Sequence, residues 1–168
     1  MTQENPRIQK VQALKEEFDA AFALPMKFER ETEEKCFALQ IDEDVFAIRF
    51  SQIRGLESGR KITSFPYGKS EFLGLAGING KVASVYSLES LLGYKDKKNA
   101  RWLALCGNKE LLALAFDKFL GYVAVPRSDL FQTNQGTKQR EYASGVFHYA
   151  SKIGFIVDIE SLLARLKT

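Results

Sequence analysis

Histidine is nearly missing from this 168-residue chain: there is one, His148, alongside two cysteines, Cys36 and Cys106. No Cys or His pair has metal-ligand spacing, which argues against a structural or catalytic zinc site. Both cysteines sit in strand-like runs and read as buried, reduced thiols rather than a disulfide framework. No run of about 18 apolar residues exists, so no membrane-spanning helix is expected. The longest apolar stretch, Leu111 to Val125, is broken by Asp117 and Lys118. The first residues, Met-Thr-Gln-Glu-Asn-Pro-Arg, carry no hydrophobic signal region. Charge of one sign is also lacking: 24 Lys and Arg face 21 Asp and Glu, a net +3, which is too small to point to nucleic acid. Gly74, Gly77 and Gly80 are evenly spaced, but they lie in a strand and its turn and do not open a helix, so they make no phosphate loop. No serine stands in a nucleophile elbow. Asp117 reads as a structural carboxylate at a strand end. These absences predict a cytosolic, non-catalytic protein without cofactor or metal.

What is present is a core and a repeat. Hydrophobic residues make up 45% and charged residues 27%, with thirteen Phe and six Tyr, an ordinary composition for a globular domain. Phe72 to Gly93 and Ser144 to Leu163 align without a gap at an offset of 71 (145 − 74). Gly74 faces Gly145, Lys81 faces Lys152, and Leu88-Glu-Ser-Leu-Leu92 faces Ile159-Glu-Ser-Leu-Leu163. Such self-similarity marks a duplicated structural unit.

The pattern of each copy predicts what it builds. Leu73 to Ile78 is short, apolar and interrupted by Gly, as in a buried strand. Asn79-Gly80 is a two-residue hairpin signal, because the favoured turn needs φ > 0 at both positions. Lys81 to Tyr86 is the returning strand, and Ser87 caps a short helix that stops at Gly93. In the second copy Asp158 takes the capping place.

The front of the chain has its own echo at an offset of 66 (116 − 50): Ala38-Leu39 against Ala104-Leu105, Phe46-Ala-Ile48 against Leu112-Ala-Leu114, and Gly55 against Gly121. Two related halves follow, about 36–93 and 101–163, joined by a Lys-rich solvated connector. Ten or so short strands and few helices predict an all-β pair of small barrels or sandwiches. A second irregular stretch, Arg127 to Arg140, is expected to be a mobile loop or a contact surface.

Ahead of this core, residues 1–35 divide into a helix and a polar linker. Asn5 caps the helix, and Ile8, Val11, Leu14, Phe18, Ala21 and Phe22 fall in a stripe roughly 140° wide. It either packs on its own domain or docks a partner. Its mixed-charge polar face argues against a membrane surface.

The repeat resembles the signature of CheW-like domains. In that signature a strand ending in Gly leads through an Asn-Leu-Arg-Gly-like turn to a Pro-Val-Ile-Asp-Leu-like strand and helix, as in Phe72 to Gly93. Leu112-Ala-Leu-Ala-Phe-Asp-Lys-Phe119 is similar to the family's Gly-Leu-Leu-Val-Asp-x-Val segment. Tyr142-Ala-Ser-Gly145 with Lys152 to Leu163 resembles its closing motif, and Phe46 to Ile53 with Ile62-Thr-Ser-Phe-Pro66 its front strands and Pro-ended loop. The likeness spans about residues 36–166, placing the CheW-like domain at 36–168.

The resemblance implies a mainly β fold of two SH3-like five-stranded β-barrel subdomains, with an N-terminal amphipathic helix and a short C-terminal helix. It also implies a non-catalytic adaptor that bridges the cytoplasmic tips of chemoreceptors to the regulatory domain of a CheA-type histidine kinase. The chain departs from the family's pattern at polar positions. The turn Asn and Arg are Gly77 and Asn79, the Pro and Asp are Ser84 and Ser87, and a front-strand Glu is Gly55. Arg offers a fixed fork of donors that Asn79 cannot replace. The expectation is a preserved fold with diverged partner recognition, and a partner surface at Gly74, Ile78, Asn79, Gly80, Lys81 and Val85. Ile8, Val11, Leu14, Phe18 and Phe22 form a second, helical docking candidate. The alternatives are a CheW-like scaffold of another system, such as pilus or other motility control, and a small enzyme or ligand-binding barrel.

Overall fold

The first repeat supplies β1 (Glu33–Ile41), β2 (Asp44–Arg49), β3 (Gly55–Ser58), β4 (Phe72–Ile78), β5 (Lys81–Ser87) and helix α1 (Leu88–Leu91). The second supplies β6 (Trp102–Cys106), β7 (Leu112–Phe116), β8 (Lys118–Pro126), β9 (Ala143–Tyr149), β10 (Lys152–Val157) and helix α2 (Ile159–Leu166). They are seen in a computed structural model that describes residues 33–66, 68–95, 99–130 and 141–167. The N-terminal stripe of Ile8, Val11, Leu14, Phe18 and Phe22 lies outside the described residues. Residues Glu34–Thr168 form one compact unit.

The strands build two five-stranded sheets, ordered β8-β1-β2-β10-β9 and β3-β6-β7-β5-β4. Neither repeat makes a sheet by itself. Each sheet takes its first hairpin from one repeat and its last hairpin from the other. The junctions are parallel pairs: Phe155 of β10 opposite Phe46 of β2, and Ser84 of β5 opposite Leu112 of β7. These are the same place in the two copies. Among the described residues no ladder joins the outer strands of either sheet, so the expected barrels are open sheets.

The back hairpins keep the sequence offset of 71. Ile78 pairs with Lys81 and Tyr149 with Lys152, and both hairpins carry an extra residue, Leu73 or Ser144, in the outer strand. The front hairpins do not keep one offset. Ala47 pairs with Ala38, whereas its counterpart Ala113 pairs with Leu105, so β1 and β6 correspond at 67 (105 − 38). Aligning Ala38 with Ala104 was therefore one residue out. Between equivalent paired positions the second hairpin is one residue shorter, Cys106 to Leu112 against Leu39 to Phe46, and a one-residue slip turns a strand's side chains to the opposite face.

That alternation sorts the core into three layers. Phe37, Leu39, Ile41, Phe46 and Ile48 of one sheet meet Ala104, Cys106, Leu114 and Phe116 of the other, with Leu88, Leu91, Leu92, Ile159 and Leu162 of the helices and their ends. The opposite faces bury Cys36, Ala38, Val45 and Ala47 in one sheet, and Leu103, Leu105, Ala113 and Ala115 in the other. The four central strands are buried on both faces, which is why they read as continuous apolar runs. Both cysteines are free thiols within these layers.

Helix starts follow the expected chemistry. The Ser87 hydroxyl accepts from Ser90 N at 3.2 Å, and the Asp158 carboxylate accepts from Glu160 N at 3.1 Å. Arg165, in the last turn of α2, donates to Leu91 O of α1 at 3.4 Å and to Tyr142 Oη at 3.1 Å, tying the two repeats together. The stretch expected to be irregular from Arg127 begins with a 3-10 turn, Arg127–Asp129, followed by the buried Leu130.

Candidate partner-binding surface

Asn79 and Gly80 take φ of 51° and 75°, the two left-handed positions that a tight hairpin requires. The β4–β5 hairpin therefore turns at the expected residues and projects its tip from the edge of its sheet. Asn79, Gly80 and Lys81 are exposed there, while Gly74, Ile78 and Val85 are buried. The six expected partner residues thus divide into an exposed tip and a supporting base.

Beside the tip, Val82 pairs with Gly77, which has no side chain to cover it, and remains 67% exposed. Its counterpart in the second repeat, Ile153, pairs with His148 and is 61% exposed. An exposed β-branched residue at the same place on both outer hairpins is the kind of apolar contact a partner can cover.

Gly74 and Gly145 share a role the repeat did not reveal. A Cβ on Gly74 would lie 2.7 Å from the carbonyl carbon of Thr63, and one on Gly145 would lie 2.8 Å from that of Leu130. In each sheet the segment leading into the outer hairpin crosses over this glycine. On the Gly74 side, Thr63 N donates to Leu75 O at 2.8 Å and Leu75 N to Thr63 O at 2.9 Å.

The departures from the family pattern also divide. Gly77 and Asn79 are exposed, Ser84 and Gly55 are half-buried, and Ser87 is buried as the cap of α1. Ser87 therefore fills a folding role and is not open to a partner, because a short hydroxyl caps a helix as the carboxylate of Asp158 does.

A further feature was missed from the sequence. Tyr122 on the edge strand β8 is 73% exposed, with its ring 5.5 Å from both Phe50 and Phe119. Phe119 in turn lies 4.9 Å from Trp102. This aromatic cluster reaches from the layer between the sheets to the surface. Tyr122 falls on the solvent side of β8, and its phase in Lys118–Pro126 was the available signal. Exposed, pre-packed aromatics are frequent interface anchors.

The titratable groups with displaced pKa serve packing. Burial, with some help from the charge of Glu34 and against that of Arg49, pushes the Cys36 thiol from 9.0 to about 11. Burial pushes Cys106 from 9.0 to about 12. Tyr94 is raised above the usual phenol range by burial, then by its hydrogen bond to Asp44 and the charges of Asp44 and Asp42. In each case the folded state holds its proton after the unfolded chain has released it. Stability is then full below about pH 9 and falls as pH rises toward 12, by up to about 1.4 kcal/mol per pH unit for each thiol. Urea midpoints measured from pH 8 to 11 check this, and Cys106→Ala should flatten the slope; a level wild-type profile would refute it.

Asp117 faces Arg101 across 3.3 Å as a structural ion pair. Among the described residues no cluster of three or more His, Cys, Asp or Glu could hold a metal, and no helix is long and apolar enough to cross a membrane. His148 is exposed on β9.

The fold is a duplicated, mainly β domain whose large exposed apolar residues among those described are Val82 and Ile153 on the outer hairpins, Tyr122 on the edge strand β8, and Phe65 in the segment before β4. The chain belongs to the CheW-like domain family, which matches residues 35–167. The family is one of chemotaxis-type scaffolds. The chain is similar in structure to the scaffolding protein TtCheW from Thermoanaerobacter tengcongensis, with a TM-score of 0.65 and 14% identity over 74% of this chain and 88% of that one. A comparison with curated proteins found no match.

Proposed function

We propose that this protein is a non-catalytic adaptor of a chemotaxis-type signalling system, coupling receptor tips to the regulatory domain of a CheA-type histidine kinase. Its membership in the CheW-like family over residues 35–167 carries this reading. The geometry supports it with a rigid two-sheet body that presents an exposed hairpin tip, Asn79-Gly80-Lys81, beside Val82. Gly74, Ile78 and Val85 support that tip from below, and Asn79, Gly80, Lys81 and Val82 make the contacts.

A second reading, a CheW-like scaffold of another motility or assembly system, is favoured by Asn79. This exposed position holds Arg in the family's pattern, and Asn lacks the forked donors that read a carboxylate.

Binding of the full chain to a CheA regulatory domain and to a receptor cytoplasmic fragment, measured by calorimetry, separates the two. The adaptor reading expects dissociation constants of about 1 μM, roughly −8 kcal/mol, for both partners. Val82→Glu should weaken at least one of them by about tenfold or more, about 1.4 kcal/mol, with little change in stability at so exposed a site. Binding to neither partner overturns the adaptor reading and leaves the scaffold of another system.

A further inference from the structure

β3 is an edge strand, and the segment after it stays with β6 for one residue more. Ser58 pairs with Trp102, and Gly59 N donates to Arg101 O at 3.2 Å. Gly59 takes φ of 66°, a left-handed position, and the chain turns there. The pairing brings Arg60 and Lys61 beside Arg101, 40 residues further along the chain (101 − 61). With Trp102 they line an open cleft of about 630 Å³, and every charged residue of its lining is a cation.

Two carboxylates stand next to these cations, and neither lines the cleft. Glu57 Oε2 accepts from Arg60 Nε at 3.0 Å and from its Nη2 at 2.9 Å. Asp117 Oδ1 faces Arg101 Nε at 3.3 Å and is itself out of solvent. The Glu57 and Asp117 side chains are 25% and 23% exposed, against 79% for Arg101. Each guanidinium keeps N–H donors that its carboxylate does not use, since it carries five. Lys61 is exposed, and no carboxylate among the described residues pairs with it. The charge that faces solvent is therefore positive, while the acids that compensate it are largely covered. Held in this way, an arginine fork is pre-oriented for a further anion.

We propose that this cleft binds an acidic segment of a partner protein. Its carboxylates meet Arg60, Lys61 and Arg101, and the chain between them lies on Trp102. Charge complementarity sets the sign of the occupant, because a basic segment would meet three like charges. The lining sets its kind. A single inorganic anion fills a small part of the cleft and makes no use of the apolar wall that Ala100 and Trp102 provide. Trp102 is already packed, with its ring 4.9 Å from Phe119, as interface anchors are. A net charge of +3 disfavours nucleic acid as the occupant. The proposal stands apart from the receptor and kinase reading, because Asn79, Lys81 and Val82 line no part of this cleft.

Trp102 is the only tryptophan of the chain, so its fluorescence reports on this cleft. The full chain is titrated with an acetylated, amidated hexapeptide of alternating Asp and Glu, with an oligolysine peptide of the same length, with inorganic phosphate and with a thymidine hexanucleotide. The expected result is a saturable change in Trp102 emission with the acidic peptide, weakening about fivefold or more as salt rises from about 50 to 300 mM. The oligolysine peptide should not bind. Lys61→Glu breaks no described ion pair and should weaken the acidic peptide about tenfold. Lys152→Glu makes the same charge change on the β9–β10 hairpin of the other sheet and should alter binding by less than about twofold. No saturable change, binding of the oligolysine peptide, or an equal loss with Lys152→Glu overturns the proposal. So does binding of phosphate or the hexanucleotide as tight as that of the acidic peptide.

Discussion

Gly74→Ala is expected to destabilise the domain by roughly 3–5 kcal/mol, and enough to abolish the soluble folded protein if its total stability is ordinary. Two effects act together. The backbone at Gly74 has φ of 142°, a region that side chains rarely enter, and such strain costs about 1–3 kcal/mol. The added methyl would also lie 2.7 Å from the carbonyl carbon of Thr63 and closer to its oxygen, so the paired segment at Thr63 and Leu75 must move. Overpacking against backbone costs another 1–3 kcal/mol or so, since neither strand has a flexible end to yield. Gly145→Ala meets the carbonyls of Asp129 and Leu130 and should cost a similar amount by the clash alone. Gly77→Ala, with open space around its Cβ position, is the control and should change stability by less than about 0.5 kcal/mol. Urea unfolding of the three variants decides the matter. A Gly74→Ala domain as stable as the Gly77→Ala control would show that the crossing segment is not held as described.

Phe37→Ala is expected to cost about 3–5 kcal/mol, lowering the melting temperature by on the order of 10–20 °C. Phe37 is fully buried in the layer between the sheets, stacked on Phe116 of the opposite sheet at 5.9 Å and tilted against Phe50 and Phe119 at 5.7 and 6.2 Å. Truncation removes one wall of that cluster, and two hydrogen-bonded sheets cannot collapse far into the space. Phe37→Leu fills more of it and should cost about 1–2 kcal/mol. Because Phe119 also supports Tyr122, the alanine variant should loosen that exposed ring, visible as a change in near-ultraviolet circular dichroism before global unfolding. A loss below about 1 kcal/mol on thermal or urea unfolding would mean that the layer is less tightly packed than its contacts indicate.

Local features were legible because their causes are local. Asn79-Gly80 specifies its own turn, and Ser87 and Asp158 specify helix starts. The duplication was legible at Gly74 and Gly145, though its reason was not: the segments crossing those glycines arrive from eleven and fifteen or sixteen residues earlier in the chain, at Thr63 and at Asp129 and Leu130. Within the candidate surface, the tip could be named from sequence, but its division into exposed Asn79, Gly80 and Lys81 and buried Gly74, Ile78 and Val85 follows from the segment and apolar layer packed against the hairpin. Tyr122 was overlooked because a run of apolar residues hides which one faces water when both faces of the neighbouring strand are buried.

A mainly β, twice-repeated chain with its turns, caps and strand spacing is written in the order of the residues, since backbone sterics and short-range hydrogen bonds act within a few residues. The tertiary structure alone decided that the repeats exchange hairpins. β2 finds β10, and β5 finds β7, across the middle of the chain. Parallel pairing carries no turn signal between its partners and is selected only by the burial that both repeats gain together.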